Sequence, residues 1–312
     1  MRVSVAIPVY NEAGGIDELI RRVDAALDQL PVDAHEIVIV DDGSEDATRA
    51  LLIAACERTS RLRVIFLSRN FGHQAALTAA LDAAVGDVVA VMDGDLQDPP
   101  EVIPSMMQAH LDGADVVYAI RVGRKEALPL RMAYSLFYRL LRSVAHLDIP
   151  RDAGDFSLLS RRAVDQFRAL PERHRFLRGL RAWVGFTQVG IPVERGARFA
   201  GRSKYSLRSL IRLALDGLFS FTTWPIRAAM VLGAVAILLA AGFSIYAVVV
   251  RLLVGSVPAG FTALVVVTVF LSGVNLFFLG VVGEYVGRIY DEVKQRPHYV
   301  IDRELRGSDT SG

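Results

Sequence analysis

Two hydrophobic periods alternate along the first 120 residues. Residues 2–9 form a short apolar run of strand type, and residues 13–30 carry apolar side chains at helical spacing. The alternation repeats: strand 36–40 (EIVIV), helix 45–56, strand 62–67, Ala-rich helix 73–84, strand 87–92 (DVVAVM), helix 100–110 and strand 115–119. Strands that read as unbroken apolar runs are covered on both faces. Strands separated by helices of this length predict βαβ units and a mainly parallel sheet, an α/β domain. Ligands of such sheets bind at the carboxyl ends of the strands.

The pattern changes near the C-terminus. Residues 228–250 hold no charge, Arg251 follows, and residues 252–283 hold none either. About 20 apolar residues cross a bilayer as a helix, so two transmembrane helices are expected, with their turn at 252–260 and Pro258 as breaker. No secretory leader is expected ahead of the strand-like run at Arg2. A hairpin returns the chain to its starting side. The turn carries at most Arg251, whereas Arg208, Arg212, Arg227, Arg288, Lys294 and Arg296 flank the other ends. The positive-inside rule places those ends in the cytoplasm. The expected division is a cytoplasmic α/β domain with membrane-proximal helices over 1–225, two spans over 226–290 and a cytoplasmic tail over 291–312. The protein is expected in the cytoplasmic (inner) membrane, with both termini inside.

Composition fits this division. The chain has 312 residues, 52% hydrophobic, and a net charge of only +1; its mean hydropathy is +0.35. These values exclude a disordered chain. The single cysteine, Cys56, excludes a disulfide framework and reads as a core residue. Charge is uneven. Residues 1–120 hold 8 basic and 20 acidic residues, whereas residues 121–227 hold 21 and 8. The basic part suits anionic headgroups or phosphorylated substrates. No nucleic-acid motif is present, so no nucleic-acid partner is expected.

Polar clusters follow the strands. The first is Pro8, Val9, Tyr10, Asn11 and Glu12; the second is Asp41, Asp42, Gly43 and Ser44. Each alone reads as a turn with a helix cap; at equivalent ends of neighbouring strands they outline a polar pocket. A third, DGDLQDPPE (93–101), follows DVVAVM. Asp93, Asp95 and Gln97 alternate, and in an extended segment would point to one side. Their oxygens suit a hard cation, Mg²⁺ or Mn²⁺, that leaves positions open for phosphates. The spacing of an EF-hand is missing. The chain also lacks the dinucleotide-binding glycine pattern and the P-loop. Residues 195–215 hold Arg195, Arg198, Arg202, Lys204, Arg208 and Arg212 with no acid. Arg202 and Lys204, in GRSK, offer two phosphate-binding cations on a small-residue loop.

In this order, VAIPVYNE, VDDGS, RNFGHQAAL and DGDLQDPPE resemble the family 2 glycosyltransferases of GT-A fold. The likeness is greatest to polyprenyl-phosphate glycosyltransferases such as bactoprenol glucosyltransferases and dolichyl-phosphate mannose synthases. It continues through DAGDFSLLSRR (152–162), GRSKYSL (201–207) and both apolar runs. The resemblance implies a nucleotide site lined by Pro8, Tyr10, Glu12, Asp41 and Asp42. It implies a metal on Asp95 and Gln97 supported by Asp93, and Asp155 as candidate base or orienting group, with Asp152 a weaker candidate. It further implies an inverting transfer of one sugar from a nucleotide-diphosphate sugar, UDP-sugar favoured, to a polyprenyl phosphate, and a homo-oligomer. The QxxRW motif of the processive polysaccharide synthases is absent, which disfavours that alternative. The other alternative, a membrane-anchored nucleotide-sugar binding or transport-accessory protein without catalysis, is disfavoured by the intact Asp93, Asp95, Gln97, Asp155 and Arg202.

Two further segments, 130–147 and 207–221, have amphipathic spacing that suits interfacial helices or packing on the sheet, and Trp224 suits an interfacial anchor. Arg173, Arg175, Arg178 and Arg181 read as a basic cluster that is either phosphate-facing or solvated. His73 reads as a helix-start residue shaping the pocket rather than a metal ligand. The tail beyond Leu305 reads as disordered.

Overall fold

The computed structural model describes residues 1–122, 153–173, 175, 177–194, 196, 224–254 and 260–307. Its contacts divide the chain into one unit of Met1–Ala214 with Arg296–Gly312, and a second of Leu215–Gln295.

The first unit is the expected α/β domain. In order it comprises β1 (Arg2–Val9), α1 (Ile16–Leu27), β2 (Ala34–Asp41), α2 (Thr48–Arg58), β3 (Leu62–Leu67), α3 (His73–Ala83) and β4 (Val88–Val91). A 3₁₀ turn, Pro100–Val102, leads into α4 (Ile103–Leu111), followed by β5 (Val116–Val122), β6 (Ala153–Ser160), α5 (Arg161–Ala169), α6 (Leu177–Trp183) and β7 (Gln188–Glu194). The second unit holds α7 (Trp224–Val254) and α8 (Phe261–Lys294), and β8 (Ile301–Arg306) belongs again to the first.

The strands form one sheet in the order β7-β5-β6-β4-β1-β2-β3-β8. β4, β1, β2 and β3 run parallel to one another, with Val5 opposite both Ile37 and Ala90. β6 and β8 run antiparallel to the strands they join. Val3, Val5, Ile7, Ile37, Ile39, Val64 and Phe66 are fully buried. The apolar stripe of α1 comprises Ile16, Leu19, Ile20, Val23 and Leu27, the helical spacing that covers one face of a sheet. Cys56 is buried on α2, as expected of a core residue.

Two segments differ from the sequence expectation. Asp93, Gly94, Asp95, Leu96 and Gln97 form a turn instead of an extended run, and Leu96 is left-handed at φ 56°. The alternation that would have put Asp93, Asp95 and Gln97 on one side is therefore lost. The C-terminal segment supplies a strand the sequence reading did not predict, β8; of the tail read as disordered beyond Leu305, Arg306 closes this strand and the Gly307 N–H donates to the Leu62 carbonyl at 2.8 Å, while residues 308–312 lie outside the described residues. β8 lacks the apolar alternation of a strand because its side chains are mostly exposed. It is held through backbone pairing with β3 and through side chains on that edge.

In the second unit, Pro225–Val250 and Val266–Lys294 have mean hydropathies of 2.4 and 2.2 and are long and apolar enough to cross a membrane. None of either window is buried within the protein. Helix α7 runs past Arg251 to Val254, longer than the charge-free stretch suggests. Pro258 and the segments 130–147 and 207–221 lie outside the described residues.

Candidate active site

The loops after β1 and β2 are stitched together. The Asn11 N–H donates to Ser44 Oγ at 2.9 Å, and the Glu45 N–H donates to Asn11 Oδ1 at 2.9 Å. The Glu12 N–H donates to Thr48 Oγ1 at 2.9 Å. These bonds hold Asn11 in its left-handed conformation, φ 52°, which asparagine tolerates better than most residues. The Asp42 N–H reaches back to the Val9 carbonyl at 2.9 Å. Pro8, Asp41 and Asp42 are buried, and Tyr10 and Glu12 are half-buried. The five residues expected to line a nucleotide pocket thus share the carboxyl end of β1 and β2.

Asp42 also organises the loop after β3. Its two carboxylate oxygens accept the N–H groups of Phe71 and Gly72 at 2.7 and 2.9 Å. Asp41 accepts the Ser44 N–H at 3.2 Å. Burial pushes both carboxyls above their usual range, opposed by these hydrogen bonds. Gly43, which follows Asp42, has φ +71°, and a Cβ there would meet the Arg69 and Asn70 backbone at 2.6 and 2.7 Å. Only glycine fits so close an approach.

The loop held by Asp42 leads into α3, whose first residue is His73. Its Nε2 lies 3.5 Å from Asp93 Oδ1. Asp93 follows β4, the strand beside β1, and Gly94 lies against that strand, where its Cβ would come within 3.2 Å of the Pro8 carbonyl. Asp95 is buried, and its Oδ1 accepts the Gln97 N–H at 3.1 Å. The Gln97 carbonyl in turn accepts the Gly196 N–H at 3.0 Å.

Asp155, on β6, completes the cluster. Ligand atoms of His73, Asp93 and Asp155 all lie within 4.8 Å of one another. Arg178 of α6 holds Asp155 through two parallel hydrogen bonds. Burial opposes the charge of Asp155, yet Arg178, with His73 and Arg181 behind it, holds the carboxyl well below its usual range. Arg181 is 4% exposed; it donates to the Gly154 carbonyl at 3.1 Å and lies over the Tyr118 ring at 4.8 Å. Arg178 and Arg181 are therefore not a solvated face. Helical spacing of three residues turns both inward, a signal that was available in the sequence. The remaining expected residues, Arg202 and Lys204, lie outside the described residues, as does Asp152.

Against known proteins, residues 4–168 match Glycosyl transferase family 2. An uncharacterised glycosyltransferase of Bacillus subtilis, YkcC, is 39% identical over 97% of this chain and 94% of its own. The SfII prophage-derived bactoprenol glucosyl transferase of Shigella flexneri is 38% identical over 99% of this chain and 100% of its own. Among solved structures, the glucosyl-3-phosphoglycerate synthase of Mycobacterium tuberculosis with Mn²⁺, UDP-glucose and phosphoglyceric acid is 21% identical. It covers 69% of this chain and 76% of its own with a TM-score of 0.47. The chain belongs to glycosyl transferase family 2. It is a glycosyltransferase, and its sheet and helices are the α/β architecture expected of the GT-A class.

Proposed function

We propose that the protein transfers a single sugar from a nucleotide-diphosphate sugar, UDP-sugar favoured, to a polyprenyl phosphate at the cytoplasmic face of the inner membrane. The observation that carries this reading is the placement of the Asp41–Asp42 pocket and the Asp93–Gln97 loop at the carboxyl ends of β2 and β4, the two strands that flank β1, in a chain with two membrane-length helices. The bactoprenol glucosyl transferases at 36–38% identity over nearly the whole chain support the lipid acceptor.

The donor set fits a divalent ion, because His73, Asp93 and Asp155 place oxygen and nitrogen ligands within 4.8 Å. Asp95 and Gln97, supported by Asp93, would hold Mg²⁺ or Mn²⁺. Such an ion would neutralise charge on the departing diphosphate. Pro8, Tyr10, Glu12, Asp41 and Asp42 bind the nucleoside. A phosphate monoester has its second pKa near ~6 and is mostly dianionic at neutral pH, so it attacks the sugar carbon without a strong base. Asp155 is held ionised by Arg178 and is a weak base; it orients groups rather than taking a proton. Arg202 and Lys204 would bind donor or acceptor phosphate. Attack opposite the leaving diphosphate inverts the anomeric centre. Residues 226–290 cross the bilayer and keep residues 1–225 and 291–312 in the cytoplasm.

The test incubates membranes carrying the protein with labelled nucleotide sugars and undecaprenyl phosphate. Label from one UDP-sugar should enter the organic phase, and Asp95→Asn or EDTA should stop it. Label that stays aqueous with every donor, or transfer unaffected by EDTA, would overturn the reading.

A further inference from the structure

We propose that His73 is a direct ligand of the divalent ion, through Nε2, and that this nitrogen makes the site prefer Mn²⁺ to Mg²⁺. The inference rests on the metal reading above and assigns His73 a role that the sequence pattern alone argued against.

The geometry has three parts. First, the 3.5 Å separation of His73 Nε2 from Asp93 Oδ1 exceeds the ~2.7–3.2 Å of an N–H···O hydrogen bond. Ligands bound at ~2.1 Å on adjacent corners of an octahedral ion lie ~3 Å apart. The two groups are therefore in loose contact, and an ion could bridge them if they closed by ~0.5 Å. Second, no hydrogen bond fixes the His73 imidazole among the described residues, and its side chain is 41% exposed, so Nε2 can accept an ion. Third, both oxygens of Asp155 are taken by Arg178. Asp155, engaged by Arg178 but with lone pairs remaining, supplies buried negative charge beside the ion, while His73 and Asp93 supply the less committed ligand atoms of the group.

A second histidine cluster shows the contrasting case. Asp24, Asp28 and His35 also bring ligand atoms within 4.8 Å. There an Arg61 nitrogen lies 2.8 Å from Asp28 and 2.7 Å from His35 Nε2, so a protein cation already fills the space.

Chemistry sets the ion preference. Mg²⁺ favours oxygen ligands and near-ideal octahedral geometry, whereas an imidazole among carboxylates favours first-row transition ions. The N-terminus of α3 adds partial positive charge beside His73, which opposes a lone cation and attracts a phosphate. Ion binding should therefore be strong only with a nucleoside diphosphate present.

The experiment uses the full chain in detergent with Mn²⁺ and UDP. Pulsed EPR of bound Mn²⁺ should show coupling to an imidazole ¹⁴N in the wild type, and His73→Gln should lose it. That variant should bind Mn²⁺ about tenfold or more weakly, with a smaller loss for Mg²⁺. His73→Asn, which shortens the reach, is the second variant, and circular dichroism confirms that each is folded. Unchanged ¹⁴N coupling and Mn²⁺ affinity in a folded His73 variant would overturn the inference. Should Asp95→Asn abolish Mn²⁺ binding in the same series, the metal reading would stand without His73. A wild type that binds no Mn²⁺ with UDP would remove both.

Discussion

Arg178 grips Asp155 from Nε to Oδ1 at 2.8 Å and from Nη2 to Oδ2 at 2.7 Å, with the two side chains only 18% and 8% exposed. Removing one partner of such a pair strands the other charge, at a cost of ~3–5 kcal/mol. Arg178→Ala should therefore lower the melting temperature strongly. The pH profile should change as well. In the wild type the Asp155 carboxyl is depressed below its usual range, so its contribution is complete at neutral pH and is lost only as pH falls through that low value. Without Arg178, burial dominates and raises the carboxyl. The penalty is then absent in acid and grows as pH rises, so the variant should melt lower at pH 8 than at pH 5. Parallel profiles for variant and wild type would show that the pair is dispensable.

Gly43→Ala should damage the nucleotide pocket without touching any charge. The residue sits at φ +71°, and its new methyl group would press on the backbone of Arg69 and Asn70. The left-handed conformation alone costs a non-glycine residue ~1–2 kcal/mol. Displacing residues 69 and 70 also moves the Phe71 and Gly72 N–H groups from Asp42. The variant should melt lower and bind UDP at least tenfold more weakly, about 1.4 kcal/mol. Calorimetric titration with UDP checks this, and wild-type affinity would count against the pocket assignment.

The parts of the fold that were legible in the sequence are those with one strong period. β1 and β3 end where their apolar runs end, and α1 shows its buried face as Ile16, Leu19, Ile20, Val23 and Leu27. β8 was not legible, because Asp302 and Glu304 are placed by Arg49 and Arg63, more than 200 residues earlier. The clusters after β1, β2 and β4 were legible as strand-end polar groups. The link among them was not. It runs from Asp42 through the backbone of Phe71 and Gly72 to His73, Asp93 and Asp155, and depends on loops whose spacing carries no period. For Arg178 the sequence left phosphate-facing and solvated roles open; its three-residue spacing from Arg181 marks a shared helix face, but not the buried Asp155 that this face meets.

Leu238→Arg tests the membrane assignment. Leu238 lies within Pro225–Val250 and is 72% exposed. An arginine near the centre of a span costs ~2.5–3.5 kcal/mol on insertion. The variant should be released from membranes by alkaline carbonate more readily than the wild type. Equal retention of both proteins would argue that α7 does not cross the bilayer.

Tyr299→Phe probes how the C-terminal segment is tied to the catalytic sheet. The Tyr299 hydroxyl donates to Asp82 Oδ2 at 2.9 Å, near the end of α3, and the Ser68 N–H donates to the Val300 carbonyl at 2.9 Å. A hydrogen bond to a charged group contributes ~1.5–3 kcal/mol when shielded, and less here because the pair is partly exposed. The variant should therefore be modestly less stable at pH 7. Burial and the neighbouring Asp82 carboxylate raise the Tyr299 hydroxyl above the usual tyrosine range. A raised group stabilises the fold below its unfolded pKa, ~10 for tyrosine, and that contribution is lost as pH rises from there toward the folded value. The stability gap between wild type and Tyr299→Phe should therefore narrow above pH ~10. Denaturant melts from pH 7 to 11 measure it, and a gap that stays constant or widens would show that the hydroxyl does not hold this segment to α3.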